Sequence, residues 1–280
     1  MKTHDAFLKS PYSSSKHSTY FPVYDRLFSR FAGTEFTFVE VGVLNGGSLF
    51  MWRELFGDKA RIIGVELNPE AKRWEKDGFE IFIGSQSDPA FWKDFFAEVG
   101  PIDVLLDDGG HTFEQQIITL ESALPHIKDG GLLVVEDTHT SYMPEFGGPS
   151  PVSFVNYAKN IADGVNYRFG RLASKHKSES AIYSVQFFES FVAFEIDRQL
   201  CSITSEPVIN AGKTFDVKDY RYAGSTALSM LETGRKKYRS IKRIPGLGPL
   251  AVAVWRKISP AAVKFAHARR FSQLKKHFRF

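Results

Sequence analysis

The sequence predicts an α/β fold built on a mostly parallel sheet with helices on both faces, and three observations predict it. Near-continuous apolar runs of strand length alternate with helical stretches over the first half of the chain, as strands buried on both sides and joined by crossover helices require. Helix-start chemistry, asparagine or aspartate followed by proline, stands directly after two of those runs. Two later runs, AIYSVQFFES (181–190) and FVAFEID (191–197), adjoin too closely for a crossover helix, so they form an antiparallel hairpin.

Taken in order, FTFVEVGV (36–43) reads as a buried first strand and GGSLFMWRELFG (46–57) as its helix. ARIIGVEL (60–67) is the second strand, followed by NPEAKRWEKDG (68–78), a helix with an Asn cap and a proline at its start. FEIFIGSQ (79–86) is the third, with DPAFWKDFFAEVG (88–100) as its helix. IDVLLDDG (102–109) and GGLLVVEDT (130–138) are the fourth and fifth, separated by the helix FEQQIITLESALPHIK (113–128).

Bulk properties bound the class. The chain has 280 residues, 43% hydrophobic and 24% charged, ordinary values for a globular protein with a sizeable core. Its one cysteine, Cys201, excludes an intramolecular disulfide and fits a reducing compartment. The first twenty residues lack the apolar core of a signal peptide, and no apolar run approaches the roughly 20 residues that span a bilayer. The expected compartment is the cytoplasm. The formal charge of +4 hides an asymmetry: residues 235–280 carry fourteen Lys and Arg and no acid, leaving 22 basic and 32 acidic side chains before them. An acidic body with a basic tail implies an electrostatic partner for the tail alone.

In an open parallel sheet, ligands sit beyond the carboxyl ends of the strands near the switch in strand order. The first strand runs into Glu40, Gly42, Asn45, Gly46, Gly47 and Ser48. Glycines there let the backbone approach a ligand, and a helix N-terminus offers free N–H groups, although a tight strand–helix turn explains the same residues. Glu66 ends the second strand, either as an acid that accepts from both hydroxyls of a ribose or as an ordinary exposed strand-end glutamate. These two features serve an adenosine-containing ligand and also nicotinamide cofactors. The fourth strand ends in Asp108, and Glu136 and Asp137 end the fifth. If the two strands are neighbours, three carboxylates converge, and such oxygen-rich sites suit Mg²⁺; the alternative is that the acids cap the following helices. His111, three residues past Asp108, faces the same edge either as a base that takes a proton near neutrality or as a helix cap.

The segments FVEVGVLNGGS, GVELNP, GSQSDP, LLDDGGH, GGLLVVEDTHTSY and FGG resemble the class I S-adenosylmethionine-dependent methyltransferases. More narrowly, they are similar to the Mg²⁺-dependent macrolide-sugar and rhamnosyl O-methyltransferases, grouped with proteins named cephalosporin hydroxylases. The resemblance covers about residues 12 to 197. It implies a Rossmann-like methyltransferase fold, a mostly parallel seven-stranded sheet with a C-terminal antiparallel hairpin. It implies a metal held by Asp108, Glu136 and Asp137, a general base at His111, and cofactor contacts at Glu40, Gly42, Asn45, Ser48, Glu66, Ser85, Gln86 and Asp107. It places His17, Tyr20, Tyr24, His139 and Tyr142 near the acceptor, although the family has D-K where this chain has Ser15 and Lys16. Residues 1–35 are then an N-terminal cap over the active site, 36–200 the methyltransferase domain, 201–234 a connecting segment and 235–280 the basic tail. The implied function is methyl transfer to a sugar or glycan hydroxyl, and a homo-oligomer is compatible with it.

Two other classes share parts of this pattern. A nicotinamide-dependent oxidoreductase shares the first two strand ends, but the chain lacks G-x-G-x-x-G. A non-catalytic membrane-associated protein would not need the acids and His111. In the tail, Ser259 and Pro260 mark a helix start, and Val263, Phe271, Leu274 and Phe278 recur at helical steps among basic residues. Such a helix lies on an anionic membrane surface or packs on the acidic body. Nucleic-acid binding has no other support in the chain.

Overall fold

Every apolar run of the first half becomes a strand of one sheet. The computed structural model describes the chain except for residues 1, 171, 173–176, 214, 216–219, 221–223, 242–247 and 279–280. Among the described residues the strands are β1 (Phe36–Val41), β2 (Ala60–Glu66), β3 (Glu80–Ile83), β4 (Ile102–Asp107), β5 (Ile127–Val135), β6 (Ile182–Phe188) and β7 (Phe191–Ile196). Their order is β3-β2-β1-β4-β5-β7-β6. The first five pair in parallel, and β7 runs antiparallel to both β5 and β6. The hairpin thus sets its second strand against β5. FVAFEI is buried at nearly every position while β6 is only partly covered, so the more apolar strand takes the inner place.

Strands end one to three residues before the apolar runs do, because the glycines and acids at those ends leave the ladder. The run after β2 also differs from expectation. Asn68 caps it and Pro69 opens it, as the sequence indicates, but Pro69–Asp77 is a 3₁₀ helix.

Side-chain alternation along the strands sorts the core into two layers. Phe38, Val104, Leu106, Leu132 and Val134 face α1 (Thr3–Lys9), α2 (Tyr20–Phe28) and α3 (Gly47–Phe56). Val39, Val41, Leu105, Leu133 and Val135 face α4 (Pro89–Val99), α5 (Phe113–Ala123) and α6 (Phe154–Tyr167). Trp52, Phe28, Trp92 and Phe194 are fully enclosed, and each such side chain contributes about 1.5–3 kcal/mol. The two layers therefore fix the strand ends on which the site is built.

The chain divides into two units, Met1–Val208 and Ile209–Phe280. The first includes α7 (Arg198–Ser202), tied back by Arg198, which donates to the carbonyls of Leu124 and Ile127 and pairs with Asp129 at 2.9 Å. The second contains α8 (Thr226–Ile241) and α9 (Gly248–Leu274). Residue 234, the expected start of the tail boundary, falls within α8. Ser259 and Pro260 do not start a helix: α9 runs through them with Pro260 inside, at the loss of one main-chain hydrogen bond. Residues 242–247 and 279–280 of the basic tail lie outside the described residues. No helix among the described residues is long and apolar enough to cross a membrane.

Candidate active site

The chain adds β2 and β3 on one side of β1 and β4 on the other, so the strand order switches between β1 and β4. A cleft of about 530 Å³ opens there, at the carboxyl ends of the strands. Gly42, Asn45, Ser48, Glu66, Ser85 and Gln86 line it, with Asp108, His111 and Asp137 at its far wall. Residues Ser13, Ser14 and Ser15 line it as well. The volume lies within the roughly 300–1,000 Å³ of small-molecule sites.

Gly42 is needed for the cleft to exist. Its φ is +92°, and a Cβ there would meet the backbone oxygen of Asp108 at 2.2 Å. The glycine lets the β1 loop lie directly against the loop that carries the acids. Glu66 joins the β1 and β2 ends: its carboxylate accepts from the backbone N–H groups of Val43, Leu44, Leu67 and Asn68 at 2.8–3.0 Å. Burial opposes its ionisation, but those four donors prevail and hold its pKa below the ordinary value.

Glu40 and Asp107, both expected to touch the cofactor, are placed under the cleft instead. Strand parity turns Glu40 toward the α1–α3 layer, where it is enclosed and accepts from Ser48 Oγ and Trp52 Nε1, each at 2.8 Å. Asp107 has the opposite parity and accepts from Gln86 Nε2 at 3.0 Å and the Gly109 N–H at 3.1 Å. Each buttresses a residue that does line the cleft. Burial pushes Glu40 up to about 7 and raises Asp107 as well.

The acids converge because β4 and β5 are neighbours. Asp108, His111 and Asp137 each offer a ligand atom, and these atoms lie within 4.8 Å of one another. His111 Nε2 is 3.5 Å from Asp137 Oδ2. His111 and Asp137 both have positive φ, +60° and +56°, which costs a non-glycine residue of the order of 1–3 kcal/mol. Thr140 supports the two loops together, its hydroxyl within 3.1 Å of the His111 carbonyl and 2.9 Å of the Asp137 carbonyl. Two carboxylates and an imidazole beside a third carboxylate form a donor set that fits a divalent cation.

Glu136, the third expected ligand, is held apart from that group. It is 1% exposed and accepts from Lys16 Nζ at 3.0 Å and from Tyr24 Oη at 2.7 Å. Lys16 Nζ also pairs with Asp108. Burial pushes Glu136 up to about 8 despite the lysine and raises Asp108 also. Burial alone would lower the pKa of Lys16, but Glu136, Asp108 and Glu40 raise it. Tyr20 hydrogen-bonds Asp137, and burial raises both tyrosine phenols. Tyr24 is fully buried between Trp52, Phe28 and Phe191. Its expected place beside the acceptor is corrected to a support for Glu136.

A second hollow of about 880 Å³ is lined by His17, Tyr20, His139, Tyr142, Met143 and Phe187, among others. Asp137 lines the first cleft and its neighbour Thr138 the second. His139 Nδ1 lies 3.0 Å from Ser190 Oγ, and Tyr142 is 58% exposed. Lys16 is the site residue to which the sequence assigns no role. Its partners stand 92 and 120 positions away, beyond the reach of any local pattern.

Residues 39–138 match a family model described as a methyltransferase domain. The chain is 33% identical over 159 residues to the 8-demethyl-8-alpha-L-rhamnosyl tetracenomycin-C 2'-O-methyltransferase of Streptomyces olivaceus, covering 53% of this chain and 42% of that protein. It is 30% identical over 159 residues to the demethylmacrocin O-methyltransferase of Streptomyces fradiae, covering 52% and 40%. The match thus spans about two fifths of the length of these relatives. A solved structure of the MycE methyltransferase from the mycinamycin biosynthetic pathway, in complex with Mg and SAH, shares the fold. Its TM-score is 0.64 at 23% identity, over 73% of this chain and 55% of that one. Residues 39–138 are therefore similar to a methyltransferase domain, on a sheet of the Rossmann-like methyltransferase fold, in a chain that resembles O-methyltransferases over about half of its length.

Proposed function

We propose that the chain is an S-adenosylmethionine- and Mg²⁺-dependent O-methyltransferase acting on a sugar or glycan hydroxyl. The observation that carries the reading is the Asp108–His111–Asp137 group, which opens on the same cleft as the glycine loop and Glu66. The relatives named above, O-methyltransferases of a rhamnosyl tetracenomycin and of demethylmacrocin, support the reaction and the sugar acceptor.

Asp108 and Asp137 would hold the cation, with Glu136 behind them on Lys16. When bound, the cation lowers the pKa of a coordinated hydroxyl and S-adenosylmethionine supplies an activated methyl group. His111 takes the acceptor proton, and Asp137 at 3.5 Å orients the ring. Gly42, Asn45 and Ser48 border the cofactor's place, while Ser85 and Gln86 border the far end of the same cleft. Glu66 reaches a ribose only by sharing lone pairs already given to backbone N–H groups. His17, Tyr20, His139 and Tyr142 face the acceptor hollow. The segment from Ser13 to Tyr20 borders both spaces, so it excludes water from the reacting pair. The test is transfer of labelled methyl from S-adenosylmethionine to sugar diols. Chelator should abolish it and Mg²⁺ restore it; full transfer in excess chelator removes the metal assignment.

We also propose that the enzyme is cytoplasmic and that residues 235–280 dock it on an anionic membrane surface, where a lipid-linked glycan would be met. The support is the fourteen basic and no acidic residues of that stretch, together with exposed Phe265, Phe271, Leu274 and Phe278 along the helix end. The full chain should float with anionic vesicles, not with neutral ones, and release as salt rises. Equal behaviour with both lipids refutes the docking.

A further inference from the structure

A lysine ammonium in the middle of a carboxylate cluster is an unusual neighbour for a metal. The Lys16 side chain is 3% exposed and stands between Asp108 and Glu136. Both oxygens of Glu136 are engaged, one by Lys16 at 3.0 Å and the other by Tyr24 at 2.7 Å. Asp108 is shared: it pairs with Lys16 and also belongs to the group with His111 and Asp137. The ammonium therefore competes for Asp108, a carboxylate that a divalent cation needs, while it holds Glu136 beside it.

We propose that Lys16 is a positioning residue of the metal centre, a tethered cation that holds Asp108 and Glu136 in place and weakens the binding of Mg²⁺. The inference rests on the metal reading above. Its physical basis is charge. Asp108, Glu136 and Asp137, when ionised, carry three negative charges in a partly buried space, and Lys16 offsets one of them. Without that offset the cluster repels itself, so a metal-free chain lacking the lysine is less stable. The same positive charge repels an incoming cation, and at an effective dielectric of about 20 the penalty remains large. Lys16 thus keeps the site assembled before the metal arrives and keeps the metal exchangeable afterwards. Its placement extends the role. Ser13–Ser15 border the cofactor cleft and His17–Tyr20 the acceptor hollow, so the ion pairs of Lys16 anchor the segment that borders both.

The test is calorimetric titration of Mg²⁺ into the chelator-stripped full chain, with thermal midpoints recorded with and without Mg²⁺. Wild type is compared with Lys16→Met, with Lys16→Gln, which keeps a donor but no charge, and with Lys16→Arg, which keeps the charge. The two neutral variants should bind Mg²⁺ about tenfold more tightly or better, melt below wild type in chelator, and regain most of the difference with Mg²⁺. The arginine variant should stay near wild type. If one neutral variant fails to fold, the other carries the comparison. Should neither fold in chelator, refolding on Mg²⁺ supports the proposal and failure to refold with it refutes it. Equal or weaker affinity in the neutral variants overturns the role of Lys16 while leaving the metal site standing. Absence of Mg²⁺ binding to every protein overturns both.

Discussion

Gly42→Ala offers a test in which packing and function are joined by one atom. The added Cβ would lie 2.2 Å from the Asp108 backbone oxygen, 2.9 Å from its carbon and 3.1 Å from Gly109 Cα, on a residue whose φ is +92°. Positive φ costs a non-glycine residue about 1–2 kcal/mol, and an overpacked contact adds about 1–3 kcal/mol. The expected loss of stability is about 2–5 kcal/mol. Gly78→Ala supplies the control, because Gly78 has a φ of +84° and a Cβ added there would meet nothing within 4 Å. That variant should lose only the backbone part, about 1–2 kcal/mol. The contact also has a chemical consequence. The Asp108 backbone must retreat, and displacement of a reacting group by about 1 Å costs roughly a hundredfold in rate. Denaturant unfolding and methyl transfer, measured on both variants, separate the two effects. Equal destabilisation of the two variants, with Gly42→Ala retaining wild-type turnover, refutes the account of how the β1 loop sets the acids.

Two further outcomes are expected. His111→Ala should lower turnover by about 10²- to 10⁴-fold while leaving S-adenosylmethionine affinity nearly unchanged, with partial recovery at higher pH where hydroxide replaces the base; a pH–rate profile with the same shape as wild type makes His111 structural. Glu66 has its pKa lowered from an ordinary value of about 4.5, so its ionised form contributes stability above that pH and loses it as pH falls through the lowered pKa. Glu66→Gln should therefore be less stable than wild type at pH 7, with the deficit shrinking as pH falls below about 4.5; a deficit independent of pH, read by denaturant unfolding, contradicts this.

The sheet was legible because apolar runs such as FTFVEVGV and IDVLLDDG can be buried on both faces only in one architecture. The convergence of Asp108 with Asp137 followed once β4 and β5 were taken as neighbours, and they are. Glu40 and Asp107 illustrate a signal that was present and outweighed. Glu40 shares strand parity with Phe36 and Phe38, and Asp107 with Leu105, which turns each into a core layer and away from the cleft. Other features had no local signal. Positive φ at His111 and Asp137 falls on residue types that enter this region more readily than most, but no turn pattern around them marks it in advance. Lys16 reaches partners 92 and 120 positions away because the N-terminal segment lines the cleft, and Tyr24 holds Glu136 across 112 positions. Pro260 inside α9 shows the opposite case, in which a strong local helix-start signal is overridden by the helix continuing through it.

The central claim is that the cleft between β1 and β4 takes S-adenosylmethionine. Calorimetric titration of the full chain with S-adenosylmethionine addresses it without knowledge of the acceptor. The account predicts saturable binding at a single site, retained in Asp108→Asn and His111→Ala because those residues serve the metal and the acceptor, and lost when Ser48 and Gln86, which border the cleft, are replaced by bulky residues. Absence of S-adenosylmethionine binding, or binding of a nicotinamide cofactor in its place, would contradict it.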